Sequence, residues 1–175
     1  AGDDVPVMQD DRIRWNGQPI ALVLAETQEQ ADHAVSLIHA TYEPEEALTS
    51  FAEACSKGTT PSQFMGQVMR DVMGDADEAF AAAPYKIDAS FTTPRHNHNA
   101  IEPHAVTLFW DGDTLRVHDA QQLVAHTAWT LAQVFGLEED QVVITSPFVG
   151  GGFGGKSVWQ HHILAAAASR IAGRP

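Results

Sequence analysis

The chain has 175 residues and a mass of 18.9 kDa, enough for one large domain or two small ones. Ten Lys and Arg against 23 Asp and Glu give a formal net charge of −13, with no basic stripe. That balance argues against nucleic acid and anionic membrane surfaces as partners, and no apolar run approaches the ~18 residues a membrane span needs.

Surface scaling predicts a folded area of about 8,300 Å², with about 70% of the unfolded chain's surface buried and an ordinary core. Cys55 is the single cysteine, so this chain alone builds no disulfide, cysteine-held zinc site or iron–sulfur cluster. It is expected to be a small buried hydrophobe. The opening AGDDVPVMQDD lacks the basic and apolar regions of a signal peptide. Gly173-Arg174-Pro175 follows directly on a helical pattern, and both ends are expected to be cuts through a longer polypeptide.

In chain order, Asn16-Gly17 between the short apolar segments of Arg12 to Ala25 predicts a β-hairpin. Thr27 to Gln30 forms a capping box, followed at helical spacing by Ala31, Ala34, Val35 and Ile38. Thr41 to Pro44 reads as a strand. This β-β-α-β unit, from Asp11 to about Leu48, holds no catalytic cluster and reads as scaffold. Ser, Thr, Gly and Pro around Ser56 to Ser62 suggest a linker. Phe64, Met65, Val68, Met69, Val72 and Met73 then recur at helical intervals, as a linker packed on the surface or, less favoured, a Met-rich binding helix.

From Asp75 the order is a short helix (76–83), a strand (85–93) and a polar segment from His96 to His104. A second strand (105–110) meets a third (114–119) through Asp111-Gly112-Asp113. A helix from Gln121 to Phe135 follows, with Leu123, Thr127, Leu131 and Val134 on one side and Gly136 as C-terminal cap. A strand (142–148), a glycine loop and a last helix from about Lys156 to Ala172 complete an α+β chain with mixed sheets.

The loop SPFVGGGFGGKS (146–157) places five glycines in six positions, which side-chain packing does not require. Such glycines permit unusual backbone angles or let a ligand approach the main chain. A strand before and a helix after suit an anionic group; a tight strand-to-helix turn is the plainer reading. Gly150 to Ser157 also fits the phosphate-loop pattern with Lys156 and Ser157 in place, and Gly150, Gly152 and Gly155 fit the dinucleotide fingerprint. With only 18 residues after Ser157, neither nucleotide fold stands as a complete protein.

His96 and His98 share a face if their segment is a strand, and Glu102 or His104 could complete a metal site. Polar side chains lining a cleft are the preferred reading, and the adjacent His161 and His162 read as structural.

Together, RHNHNAIEPHA (95–105), the paired Gln121-Gln122 and FVGGGFGGK (148–156) resemble the xanthine dehydrogenase/aldehyde oxidase family of molybdenum hydroxylases, most of all the molybdopterin-binding large subunit of bacterial aldehyde oxidases. The resemblance implies a partial α/β hammerhead domain in 1–51, a linker in 52–74 and the opening segment of the molybdopterin-binding domain in 75–175. It implies a molybdenum–molybdopterin cofactor, in the cytosine dinucleotide form for a bacterial member, held without a protein side chain on the metal. By motif match, Gln122, Gly151, Gly152, Phe153, Gly154 and Gly155 contact that cofactor, Gln122 by donating to a metal oxo group. Phe153 and Gly154 would stand at the metal centre.

The implied reaction is hydroxylation of an aldehyde or N-heterocycle with oxygen from water. Electrons leave through 2Fe-2S clusters and FAD on other subunits or segments. The implied partners are the rest of the large subunit and the iron–sulfur and flavin subunits. The general-base glutamate is expected beyond Pro175, so no catalytic residue falls in this chain and, alone, it is expected to be inactive. Purine-oxidising members carry glutamate after the loop lysine where this chain has Ser157, which disfavours a purine. The competing classes are a phosphate-loop hydrolase using Gly150 to Ser157 and a non-catalytic assembly module.

Overall fold

A computed structural model describes residues 7–64 and 67–175, Phe64 by its backbone alone. Among them the elements run α1 (Gln28–Ser36), α2 (Phe51–Lys57), β1 (Gln63–Phe64), β2 (Gln67–Val68), α3 (Ala76–Ala82), β3 (Val106–Asp111), β4 (Thr114–Asp119), α4 (Val124–Phe135), a 3-10 turn (Glu139–Gln141), β5 (Val142–Thr145) and α5 (Gln160–Ala172). Contacts divide the chain into two units. Among the described residues one is built on Ala40–Arg95, and the other joins 7–39 with His96–Pro175.

The second unit holds the core. β3 pairs antiparallel with β4, and β5 pairs parallel with β4, as the α+β reading of mixed sheets requires. Alternate side chains form two rows across the sheet, Trp110–Leu115–Val142 and Leu108–Val117–Ile144. The helices supply Ala128, Leu131, Ala132 and Phe135 from α4, and Ile163 and Ala166 from α5. The apolar stripe of α4 is thus rotated from the expected one, for Leu123 and Val134 are about half-exposed while Ala128, Leu131, Ala132 and Phe135 pack inward. Trp110 fixes α5 on β3 by donating its indole N–H to the Ala166 carbonyl at 2.9 Å. Gly136 ends α4 at φ +66°, its N–H returning to the Ala132 carbonyl.

The unit on Ala40–Arg95 has short helices capped by side chains. The Ser50 hydroxyl accepts from Glu53 N, and the Asp75 carboxylate from Glu78 N. The less favoured helical expectation for 64–73 fails: Gln63 pairs with Val68 and Phe64 with Gln67 as strands, and Met69 N–H donates to the Ser62 carbonyl. Met65 of that expectation lies outside the described residues, as do the first six residues of the chain. The interval 52–74, read as a linker, contains most of α2 and this small hairpin.

Three expected strand regions lack a ladder. Asn16-Gly17 does turn, with Gly17 at φ +89°, but the Gln18 side chain takes the Arg14 N–H and donates to the Arg12 carbonyl, groups a ladder would use. Residues 41–44 and 85–93 form no described strand, with Tyr85, Ile87 and Phe91 exposed. The total surface is 14198 Å², well above the scaling expectation, and every buried described residue falls between Leu108 and Ser169. Apolar segments before residue 96 have no second layer to cover them here. Cys55, expected inside, is exposed for the same reason: α2 buries none of its residues. No described helix is long and apolar enough to cross a membrane.

Leu131→Ala empties a fully buried position between helix and sheet. It should cost about 2–5 kcal/mol of unfolding free energy, read by denaturant titration of near-UV signal, whereas Leu37→Ala on the exposed α1 flank should change little.

Candidate functional site

The expected helix start at Gln121 is displaced to Val124, and the reason is the Gln121 side chain. Its Oε1 accepts from Gln122 N at 2.9 Å and from Leu123 N at 3.4 Å, satisfying amides outside the helical pattern. Gln121 itself is buried, with its N–H donating to the Ser146 hydroxyl at 3.0 Å. Gln122 is therefore held on a non-helical corner rather than on a helix face. Its backbone N–H also reaches the Lys156 carbonyl at 2.9 Å.

The Gln122 carboxamide meets the glycine loop. Its Oε1 accepts from Gly154 N at 3.0 Å and Lys156 N at 3.3 Å. Two converging N–H donors fix the orientation of the amide, so Nε2 is the end turned from the loop. Gly150, Gly151 and Gly154 lie at φ +63°, +87° and +91°, and Phe153 at +53°, a costly angle for an aromatic residue. Gly155 N–H closes the turn onto the Gly152 carbonyl at 2.8 Å. Among the described residues, no acceptor meets the N–H groups of Gly151, Gly152 or Phe153.

The glycines are also read by side chains from other segments. A Cβ on Gly152 would stand 2.2 Å from the Gln122 Oε1, and one on Gly150 2.2 Å from the Glu102 Oε2. A Cβ on Gly155 would stand 3.2 Å from the His98 ring. Glycine is thus required here by intramolecular approach as well as by backbone angle.

Lys156, 2% exposed, donates to the Glu102 Oε2 at 3.0 Å and to the Val149 carbonyl. Glu102 in turn donates its N–H to the Gly150 carbonyl at 3.2 Å. A phosphate-loop lysine must reach phosphates; this ammonium is turned into the protein and spent on a carboxylate, which removes the support for that alternative. The segment 96–104 is not a strand, so the face-sharing of His96 and His98 does not arise. Glu102 goes to Lys156, His98 to Gly155 and His104 to His161, whose rings are 6.0 Å apart. Among the described residues no cluster of three metal-ligating side chains forms.

One pair has no local signature in the sequence. Asp119 at the end of β4 and His162 in the first turn of α5 are 43 positions apart, and His162 Nε2 donates to Asp119 Oδ2 at 2.6 Å with both side chains buried. Burial pushes the Asp119 carboxyl up, but the hydrogen bond and charge of His162 hold it below the ordinary carboxylate range. His162 Nδ1 accepts from Trp159 N at 3.2 Å, and Trp159 Nε1 donates to the Gly155 carbonyl at 2.6 Å.

Residues 58–175 match the family model of the molybdopterin cofactor-binding domain, and residues 1–46 that of the aldehyde oxidase and xanthine dehydrogenase a/b hammerhead domain. The chain belongs to the xanthine dehydrogenase/aldehyde oxidase family. It is 40% identical over 163 residues to the aldehyde oxidoreductase molybdenum-binding subunit PaoC of Escherichia coli, covering 90% of this chain and 21% of that protein. It is 33% identical to the 6-hydroxypseudooxynicotine dehydrogenase complex subunit gamma of Paenarthrobacter nicotinovorans, covering 97% of this chain and 22% of that one. It is also 31% identical to the xanthine dehydrogenase of Dictyostelium discoideum, covering 95% and 12%. The chain thus spans about a fifth, or less, of the length of these relatives. Hammerhead followed by cofactor-binding domain is the order the sequence implied. Within this family's domain, the core sheet and α4 carry Gln122 to the loop, and α5 anchors the loop's far end through Trp159.

Two measurements test this geometry. Gly152→Ala should expel the Gln122 carboxamide and cost about 1–3 kcal/mol through the two lost amide bonds. Adding Gln122→Ala should cost less than the sum of the single losses, since both remove the same contact. The second concerns His161, which burial and the charge of neighbouring His162 depress to about 4. The unfolded chain binds the proton first, so stability should rise with pH from about 4 to about 6.5, and His161→Gln should flatten that slope in denaturation series.

Proposed function

We propose that this chain is part of the large subunit of a molybdenum hydroxylase that oxidises an aldehyde or a simple N-heterocycle. On this reading 1–51 is hammerhead, 52–74 a connection and 75–175 the opening segment of the cofactor-binding domain. The described residues fit a molybdopterin-borne metal. Three successive loop N–H groups lack a described acceptor, and so does the Nε2 of Gln122, whose Oε1 is held by the loop. Neutral donors of this kind hold an anionic cofactor without adding charge. The cofactor, when bound, supplies the hydroxylation and electron-accepting chemistry.

The chain's own contribution is to bind and orient. Gln122 is the cofactor-facing donor, with Gly151, Gly152 and Phe153 offering main-chain amides. Gly154 and Gly155 shape the turn, Gly154 by donating to Gln122 and Gly155 by closing onto Gly152. The Phe153 ring is largely exposed, with its edge 3.2 Å from where a Cβ on Gly151 would stand. The metal takes no side-chain ligand from this chain, and the general base lies outside it. Ser157 in place of a glutamate favours an aldehyde over a purine. Electrons pass to 2Fe-2S and flavin groups on other subunits or segments, and the family resemblance implies the cytosine dinucleotide form of the cofactor for a bacterial member. The observation that carries the reading is the Gln122 carboxamide, locked by the loop amides with its donor end left over.

The intact protein from its host should contain stoichiometric molybdenum by metal analysis and oxidise aromatic aldehydes with an artificial electron acceptor. Gln122→Ala should lower turnover about 10- to 1,000-fold while most of the molybdenum is retained, the range expected for a lost electrostatic donor. Unchanged turnover would remove Gln122 from the site.

A further inference from the structure

We propose that the buried Asp119–His162 pair is a positioning device, setting through two arms where the Gln122 carboxamide and the loop amides stand. This rests on the cofactor reading above and extends it to residues that touch neither the loop nor the cofactor. The first arm leaves Asp119 Oδ2, which accepts from Gln121 Nε2 at 3.2 Å. Gln121 Oε1 then holds Gln122 N at 2.9 Å, and Gln122 Oε1 holds the Gly154 and Lys156 amides. The second arm runs through His162. Its Nε2 donates to the same Asp119 oxygen at 2.6 Å, and its Nδ1 accepts from Trp159 N at 3.2 Å. Trp159 Nε1 then donates to the Gly155 carbonyl at 2.6 Å.

The ring thus bridges the Trp159 backbone, whose N and carbonyl lie 3.2 and 3.3 Å from Nδ1, and the Asp119 carboxylate, with Gln121 Nε2 3.4 Å from its Nε2. Both arms end within Gly154 to Lys156, and the Gln122 N to Lys156 O bond closes them into a ring. The remaining Asp119 oxygen accepts Ala120 N at 2.8 Å, fixing the carboxylate plane. A charge taken out of water and fully hydrogen-bonded in this way is a poor source of net stability but a firm geometric reference. His161 and His104 stand next to the pair, and neither intervenes in the two arms.

The test uses the intact molybdenum-containing protein, with Trp159→Phe, Asp119→Ala and Asp119→Asn. Trp159→Phe removes one N–H donor from a half-exposed side chain and leaves the buried pair in place, so it remains informative if Asp119→Ala does not fold. Hydrogen exchange by mass spectrometry should show the peptide over 150–157 exchanging about tenfold faster in Trp159→Phe and Asp119→Ala, with β3, β4 and α4 peptides unchanged. The kcat should fall about five- to tenfold with KM within about twofold, because geometry is lost at the reacting centre and not in substrate binding. Asp119→Asn, which still accepts from His162, should give intermediate values. Wild-type loop exchange and kcat in Trp159→Phe, or protection lost equally from loop and core, would overturn the proposal. Wild-type protein without molybdenum would sink the cofactor reading instead, a result kept separate because loop exchange is measured with or without metal.

Discussion

The carboxamide of Gln122 stands where the Cβ of any residue other than glycine at 152 would be, and its oxygen takes two of the loop's peptide donors. A run of glycines has no side chains with which to fix its own path, and it loses more backbone entropy on ordering than any other sequence. The order of this loop therefore has to come from outside it. Gln122 supplies it at 154 and 156, Trp159 at 155, and Glu102 with Lys156 at 149 and 150. The Cβ-free positions are what let these side chains approach. Glycine content and polar anchoring are two sides of one constraint.

The anchors are charged or polar, with Lys156 buried and Gln122, Glu102 and Trp159 partly exposed, which sets them apart from the apolar core a few residues away. Lys156 and the Asp119–His162 pair would each leave an unpaired charge or polar group in a poorly solvated place if a partner were removed, a change that costs about 3–5 kcal/mol for buried pairs. The pairs contribute little net stability over an apolar replacement of the same shape. Their value is that only one arrangement satisfies every donor and acceptor. The core sheet, with Leu115, Val117 and Leu131 fully buried, provides the stability on which this less forgiving network is mounted.

Which parts of this were legible in the sequence follows from where each partner lies. β3 and β4 are joined by a two-residue turn and pair with each other, so alternation and Gly112 sufficed, and β4 was predicted with its observed bounds. α1 was visible through Thr27, whose hydroxyl does accept from Gln30 N at 3.3 Å. The segments at 41–44 and 85–93 have strand composition, yet pattern shows only that a strand is possible; a ladder needs an edge to join. The start of α4 was misplaced because a side chain, Gln121, took amides that backbone periodicity assigns to a helix. Gln122 and the glycines were found through a motif, whereas Asp119 and His162 are joined by tertiary contact alone.

The two nucleotide patterns fitted by the loop show why spacing is weak where glycine is abundant. Phosphate loops, dinucleotide turns and this loop all need positive φ angles and exposed amides, so they share a glycine spacing without sharing a ligand. What separates them is the disposition of the one cation that follows. Here Lys156 is drawn inward by the Glu102 carboxylate and the Val149 carbonyl, and its own peptide N–H is committed to Gln122. An ammonium so placed cannot fold over a polyphosphate without leaving Glu102 and crossing its own loop. The amides without a described acceptor, Gly151 to Phe153, adjoin the neutral Gln122 carboxamide, which stands against Gly152. That combination of main-chain donors and a neutral side-chain donor, with the cation withdrawn, matches a cofactor whose own charge is handled elsewhere and differs from a site built to neutralise a triphosphate.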